Sequence, residues 1–228
     1  MNSYIAGLHL SHAQGVESIV ATSTVAMMIM FARDGSRNMK NAHKEGGEIK
    51  SLPTTFIGRF VTPLHALAVT VVPVTYLAGV LSNRMVQPAW YARTAFDVGD
   101  LSVGALAWIR TGAAAVAWIG GVWLQRACLR ALGKQFHFIG TRDKAQVVST
   151  GPYRIVRHPL YSAVLGQLAV LSIAYWSWIP LVSLGITLGA FAVKIPIEES
   201  LIDNDLAMGT AYAEYKKKVP YRLIPYVW

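Results

Sequence analysis

Residues 151–161, with the sequence GPYRIVRHPLY, form a polar and basic turn in front of an apolar segment. Gly151 and the proline after it favour a tight turn that brings the backbone close to a ligand. The side chains that can bind a charged group are Tyr153, Arg157, His158 and Tyr161. Because apolar sequence follows directly, we predict that this turn lies at a membrane boundary.

A second polar cluster follows the next long apolar stretch. It consists of Lys194, the adjacent pair Glu198 and Glu199, and a tyrosine-rich tail over residues 212–225. Lys194 and Glu198 are four residues apart, so they share a helix face provided that Pro196 does not break the helix. Carboxylates and phenols at such a position can bind a cationic ligand.

The composition is that of a membrane protein. Of the 228 residues 54% are hydrophobic and 14% charged, whereas soluble domains carry about 25% charged residues. The formal net charge is +9, but the basic residues stand in short blocks between apolar runs, which is typical of membrane loops and not of nucleic-acid-binding surfaces. The single cysteine, Cys128, excludes an internal disulfide, and we predict no metal site.

The apolar pattern predicts an all-α, polytopic membrane protein with about five transmembrane helices. A helix needs about 20 apolar residues to cross a hydrocarbon core of about 30 Å. We expect one domain over residues 1–228, with amino-terminal spans in 1–130 and a binding core in 131–228. A tight turn around Ser177 would make the last two spans a helical hairpin. The predicted spans are residues 16–31, 56–81, 103–124, 159–176 and 178–193.

Basic residues predict the orientation of these spans. Eighteen of the 21 lysines and arginines lie in residues 33–59, in residues 126–157 and in the tail from Lys194, whereas only Arg84 and Arg93 lie in the opposite loops. The positive-inside rule therefore predicts an external amino terminus and a cytoplasmic carboxyl terminus, with both polar clusters at the cytoplasmic face.

The sequence also predicts where the third apolar helix begins and what residues 201–215 form. Arg110 falls inside the third apolar segment, where a charge is costly, so we expect that helix to run over residues 111–132 with Arg110 at its outer edge. Residues 201–215 have apolar side chains at spacings of three and four with charged residues between them, which predicts an amphipathic helix. We expect it to lie along the cytoplasmic surface and to cover the site.

The two polar clusters resemble those of the integral membrane methyltransferases, the superfamily of isoprenylcysteine carboxyl methyltransferases and phospholipid methyltransferases. The resemblance covers roughly residues 130–228. It implies a membrane enzyme that transfers a methyl group from S-adenosylmethionine to a lipidic or small apolar acceptor. The cofactor-binding residues that it implies are Gln146, Val147, Gly151, Tyr153, His158, Pro159, Tyr161 and Glu199. The catalytic residues that it implies are Arg157, Lys194, Glu198 and Glu199.

The chemistry of methyl transfer assigns roles within this set. The reaction is an in-line displacement in which the sulfonium is already a good leaving group, so the protein binds, aligns and dehydrates the reactants. Arg157 or His158 would bind the carboxylate of the cofactor, and one member of the glutamate pair its ammonium group. Tyr153 or Tyr161 would face the sulfonium.

The chain departs from the family pattern at two positions. Ala145 stands where the family often has a histidine, and Lys194 is the nearest cation where an arginine usually precedes the acidic pair. Because a lysine cannot make a bidentate contact with a carboxylate, this second departure argues against a prenylcysteine acceptor.

Several alternatives remain open at the level of sequence. The acceptor can be a carboxylate, an amine or a thiol, and an amine would need a base to remove its proton. The second hypothesis is a sterol-type membrane reductase that uses NADPH, which shares an Arg-His-Pro turn before a helical hairpin but is usually much longer. A non-enzymatic membrane module is the third, although it leaves the polar cluster without a ligand. The partners are membrane lipids and the acceptor, and the oligomeric state is open.

Overall fold

The computed structural model describes residues 3–5, 8–136 and 141–228, which are mostly helical. A π-helical turn, Val116–Gly120, joins the fourth and fifth helices, so that they form one continuous rod. The helices are α1 His12–Gly46, α2 Phe56–Ser82, α3 Ala89–Ala92, α4 Val103–Ala115, α5 Gly121–Leu132, α6 Pro159–Tyr175, α7 Ile179–Asp203 and α8 Gly209–Lys218.

Short strands and 3-10 turns complete the described chain. Strands β1, Ser3–Ile5, and β2, Leu8–Leu10, pair antiparallel at the amino terminus. Strands β3, Ile49–Ser51, and β4, Thr141–Arg142, also pair antiparallel. This second pair ties the α1–α2 connection to the segment before the polar turn. The 3-10 turns are Gly133–Gln135 and Gly151–Arg154.

Four helices of the described residues are long and apolar enough to cross a membrane, namely His12–Gly46, Phe56–Ser82, Val103–Gln135 and Ile179–Asp203. The apolar helix α6 has 17 residues, which corresponds to a length of about 26 Å. A total of five spans therefore remains a prediction. The hairpin around Ser177 is present, because α6 ends at Tyr175 and α7 begins at Ile179.

The connections fall on two opposite faces of the bundle. On one face, the Lys144 amide donates to the Gly46 carbonyl at 3.2 Å, and the Lys50 ammonium lies 3.7 Å from the Asp205 carboxylate. The long loops and the carboxyl-terminal tail all reach this face, which we call the basic face. At the other end of the bundle, the Gln14 amide donates to the Arg84 carbonyl at 3.0 Å. The separation of basic from non-basic loops seen in the sequence is thus a property of the fold.

Helix α6 lies in the centre of the bundle, in contact with α4, α5 and α7, and α7 packs along α2. The Tyr175 ring at the end of α6 stacks on the Tyr76 ring of α2 with centroids 3.9 Å apart. In the π-helical turn, the Ala117 carbonyl accepts a hydrogen bond from the Gln167 amide at 2.9 Å. Such a turn frees backbone carbonyls, which need a partner inside a membrane.

Arg110 lies within α4, so the expected helix start at Thr111 was wrong. Its Nη1 lies 2.7 Å from Oε1 of Glu17 on α1, and its Nε donates to the Ala174 carbonyl at 3.0 Å. The Tyr76 hydroxyl donates to Oε2 of Glu17 at 2.5 Å. An ion pair between helices makes a buried arginine tolerable inside the bundle.

The segment expected to form one amphipathic helix over residues 201–215 is divided. Helix α7 continues through Pro196 to Asp203, and α8 begins at Gly209. Asp205 makes the turn between them, because its carbonyl accepts the Gly209 amide at 2.8 Å and its carboxylate accepts the Ala207 amide at 2.9 Å. These local bonds compete with helix continuation. The position of α8 along a membrane surface remains a prediction.

Candidate active site

A pocket opens at the basic face, between the polar turn before α6, the end of α7 and helix α8. It encloses about 800 Å³ of empty space, including its solvent-open mouth. Seven of the residues predicted for the site line it: Gln146, Val147, Tyr153, Arg157, His158, Tyr161 and Glu198.

Glu199 is the electrostatic centre beside this pocket. It is only 5% exposed, and both oxygens of its carboxylate are occupied. Oε1 accepts from Nε of Arg157 at 2.8 Å and contacts Nε2 of His158 at 3.2 Å. Oε2 accepts from Nη2 of Arg222 at 2.8 Å, and the Tyr212 hydroxyl donates to Oε1 at 3.3 Å. Glu199 therefore holds together the turn, α7, α8 and the carboxyl-terminal tail.

The carboxyl-terminal tail is bound to the polar turn by backbone hydrogen bonds as well. The amides of Arg157 and His158 donate to the carbonyls of Tyr221 and Arg222, each at 2.9 Å. Nη1 of Arg157 donates to the Pro220 carbonyl at 2.6 Å. Because Pro159 begins α6 directly afterwards, helical backbone is disfavoured at His158, and the amides before the proline are free to pair with the tail. We call this arrangement of Glu199, the turn and the tail the carboxyl-terminal clasp.

Tyr161, Lys194 and Glu198 lie together beside the clasp. The Tyr161 hydroxyl donates to Oε2 of Glu198 at 2.7 Å, and Nζ of Lys194 lies 5.0 Å from the centre of the Tyr161 ring. Lys194 is 1% exposed. Helix α7 is continuous through Pro196, so the expected shared face of Lys194 and Glu198 is retained. The ammonium, the ring and the carboxylate form a charged lining next to the pocket.

The polar turn presents Tyr153 to the pocket. Gly151 has a φ of +58°, a backbone conformation that glycine adopts without strain. The Tyr215 hydroxyl of α8 donates to the Tyr153 carbonyl at 2.7 Å. Burial raises the pKa of Tyr215 to about 12 and the pKa of Tyr153 well above its ordinary value. Both phenols are therefore neutral at physiological pH and act as donors or ring surfaces.

Gln146 and Val147 reach the pocket on an irregular segment that one side chain holds in place. Oε1 of Gln135 accepts the Gln146 amide at 3.0 Å, and Nε2 of Gln135 donates to the Lys144 carbonyl at 3.0 Å. An irregular backbone needs such side-chain partners for its polar groups. Gln135 was not predicted, since nothing near it in the sequence marks it as a support.

Arg142 is a pocket-lining residue that the sequence reasoning missed. It is buried, and its guanidinium donates to the Phe136 carbonyl at 2.9 Å and to the Gly47 carbonyl at 2.7 Å. In the sequence it is one of many basic residues in a loop, so the positive-inside pattern conceals it. Arg222 and Tyr212 belong to the predicted tail, but no role at Glu199 was assigned to them.

Comparison with known families adds to this geometry. Residues 109–206 match the sequence model of a family described as phospholipid methyltransferase. The match covers 98 of the 228 residues. No curated protein matches the chain. The match confirms the resemblance seen in the sequence, and it supports a membrane methyltransferase.

The family model matches residues 109–206, whereas the resemblance seen in the sequence covers roughly residues 130–228. The match begins within α4, before residue 130, and ends before α8, so the matched region includes the second half of α4 and all of α5, α6 and α7. It contains all eleven predicted site residues, but not the tail that closes the clasp. Gly151, Pro159, Lys194 and Glu199 are the four that do not line the pocket. They shape the turn or hold charged neighbours.

Proposed function

We propose that this protein is an S-adenosylmethionine-dependent methyltransferase that acts on a lipidic acceptor at the cytoplasmic membrane face. The observation that carries the proposal is the pocket lined mainly by residues of the matched phospholipid methyltransferase region, where one carboxylate and four tyrosines come together. The carboxylate is Glu198, and the two tyrosines nearest the polar turn are Tyr153 and Tyr161.

The residues present fit the charges of this cofactor. Oε2 of Glu198 is hydrogen-bonded to Tyr161, while Oε1 has no partner among the described residues and can accept the ammonium group. Arg157 is engaged by Glu199 and by the tail. His158 presents its second ring nitrogen, Nδ1, without a partner in the described chain. Because Nε2 already donates to Glu199, Nδ1 can donate to the cofactor carboxylate when the ring carries both protons, and we assign the carboxylate to His158 in that form.

The neutral parts of the cofactor require apolar and electron-rich surfaces. Val147, Ile202 and Met208 line one part of the pocket and would hold the adenine ring. The rings of Tyr153 and Tyr161 would face the cation. When bound, the cofactor supplies a methyl group on a sulfonium. The protein side chains orient it toward the acceptor and exclude water.

The family description favours a phospholipid acceptor over a prenylcysteine, as does a lysine rather than an arginine before the acidic pair. For an amine acceptor a base must take a proton before attack. Glu198 is the one carboxylate that lines the pocket in the described structure. We assign Glu198 to the cofactor ammonium. In the variant Glu198→Gln, weaker cofactor binding would indicate this role, whereas a lower turnover rate at unchanged affinity would indicate a base.

The proposed cytoplasmic location depends on the basic face. The pocket lies on the same face as eighteen of the 21 lysines and arginines, which the positive-inside rule places in the cytoplasm. The amino terminus of α1 then lies outside, and the carboxyl terminus lies inside.

Binding measurements test the proposal directly. Purified protein in detergent is expected to bind S-adenosylmethionine in isothermal titration calorimetry and to show no heat of binding with NADPH. The reductase hypothesis predicts the opposite result. A protein that binds neither, although it is folded by circular dichroism and monodisperse, would contradict the assignment of the pocket.

A further inference from the structure

A second pocket opens between α1 and α5, also at the basic face. It encloses about 710 Å³ of empty space, including its open mouth, and the buried side chain of Leu129 lies at its base. It shares no lining residue with the candidate active site. We call it the arginine groove. Its charged lining residues are Asp34, Arg37, Arg126 and Arg130.

The charges of the arginine groove do not balance. Oδ2 of Asp34 lies 2.6 Å from Nε of Arg126, so the one carboxylate is already paired. Within the described part of the chain, Arg37 makes no ion pair, and Arg130 bonds only to the Arg126 carbonyl of its own helix at 3.3 Å. Two guanidinium groups thus face the groove without an anion. Guanidinium groups in a concave site bind phosphate oxygens well.

The depth of the groove matches the level of lipid headgroups. Arg37 lies 25 residues beyond the start of α1 at His12, which is about 38 Å along a helix axis. The hydrocarbon core is about 30 Å thick, so Arg37 lies just outside it. On α5, Trp123 is seven residues before Arg130, on the same helix face, and is 65% exposed. An apolar surface therefore lies below the arginines.

We propose that the arginine groove binds the phosphate of an anionic phospholipid. The acyl chains would lie against the exposed face near Trp123 while the headgroup phosphate contacts Arg37 and Arg130. A free phosphate would use the guanidinium groups but gain nothing from the apolar surface. The site is independent of the proposed methyl transfer, because it is separate from the candidate active site.

Lipid selectivity tests this proposal. The protein is reconstituted in phosphatidylcholine vesicles with a trace of spin-labelled phosphatidylglycerol or spin-labelled phosphatidylcholine. Electron paramagnetic resonance then gives the motionally restricted fraction of each. We expect the wild type to select the anionic lipid. The double variant Arg37→Gln/Arg130→Gln is expected to reduce this selectivity by on the order of fivefold per arginine.

A charge-matched control separates the groove from general surface charge. Arg33→Gln/Lys40→Gln removes two exposed cations of α1 that do not line the groove, and it should leave most of the selectivity intact. Asn41→Asp adds a carboxylate to the groove lining and should also reduce selectivity, which provides a second test if the arginine variant folds poorly. Equal losses in the groove variant and the control would overturn the proposal. Competition by inorganic phosphate at constant ionic strength would overturn the assignment to a lipid.

Discussion

Glu199→Gln is expected to destabilise the protein and to abolish cofactor binding together. Glutamine has nearly the same shape, but it leaves Arg157, His158 and Arg222 close to one another without an anion. Removing one partner of a buried charge pair costs about 3–5 kcal/mol. The carboxyl-terminal clasp should open as a result, and His158 should lose its orientation. Thermal unfolding in detergent and titration with S-adenosylmethionine measure the two effects.

Glu198→Gln is the matched control on the adjacent residue. Glu198 is only half-buried and accepts one protein hydrogen bond, from Tyr161. We expect stability close to that of the wild type, with cofactor binding about 10- to 100-fold weaker, because a hydrogen bond to a charged group contributes about 1.5–3 kcal/mol. Unchanged affinity with a lower turnover rate would instead identify Glu198 as a base. If Glu199→Gln were as stable as the wild type, the clasp would not hold the site.

Arg110→Leu is expected to give the second large loss of stability. Glu17 is 3% exposed, and its charge is balanced by Nη1 of Arg110 at 2.7 Å. Leucine leaves that carboxylate unpaired within the bundle, at a cost of about 3–5 kcal/mol. The effect should appear as a lower unfolding temperature. The remaining folded protein should bind cofactor with wild-type affinity, because the ion pair lies toward the face opposite the pocket.

The double variant Glu17→Gln/Arg110→Leu distinguishes an unpaired charge from lost packing. Replacing both members of a buried pair by neutral side chains is often close to neutral in stability. We therefore expect the double variant to recover most of the stability that the single variant loses. Arg84→Gln, which removes an exposed arginine at the same face, should change stability little. A single variant as stable as the wild type would show that Arg110 is dispensable.

The meeting of the two polar clusters could be predicted from the sequence because the chain between them is a hairpin. Helix α6 begins directly after His158, and α7 returns to the same face and ends four residues after Glu199. His158 lies 17 residues before the end of α6 and Glu199 lies 20 residues after the start of α7, so an antiparallel hairpin brings them to a similar level without further information. The same local signals, a turn glycine and a proline at the helix start, predict where the polar turn lies.

The different positions of Glu198, which lines the pocket, and Glu199, which pairs with the arginines beside it, could not be predicted from the sequence. Adjacent residues on a helix point about 100° apart, so only one of them can face the pocket. The rotation of α7 is set by Arg157 and Arg222, which come from distant parts of the chain. The pairing of Arg110 with Glu17 was missed for the same reason, since the partner lies on another helix. Local patterns do not contain such long-range pairs.

Transfer of a labelled methyl group tests the central claim most directly. Wild-type protein, Glu198→Gln and the exposed-residue control Tyr226→Phe are incubated with S-adenosylmethionine labelled in its methyl group and with membrane lipid extract. We predict label in the lipid fraction with the wild type and with Tyr226→Phe, and strongly reduced label with Glu198→Gln. Chromatography and mass spectrometry then identify the methylated product. Wild-type protein that binds the cofactor yet labels no lipid would contradict a lipidic acceptor, and equal labelling by Glu198→Gln would contradict the site.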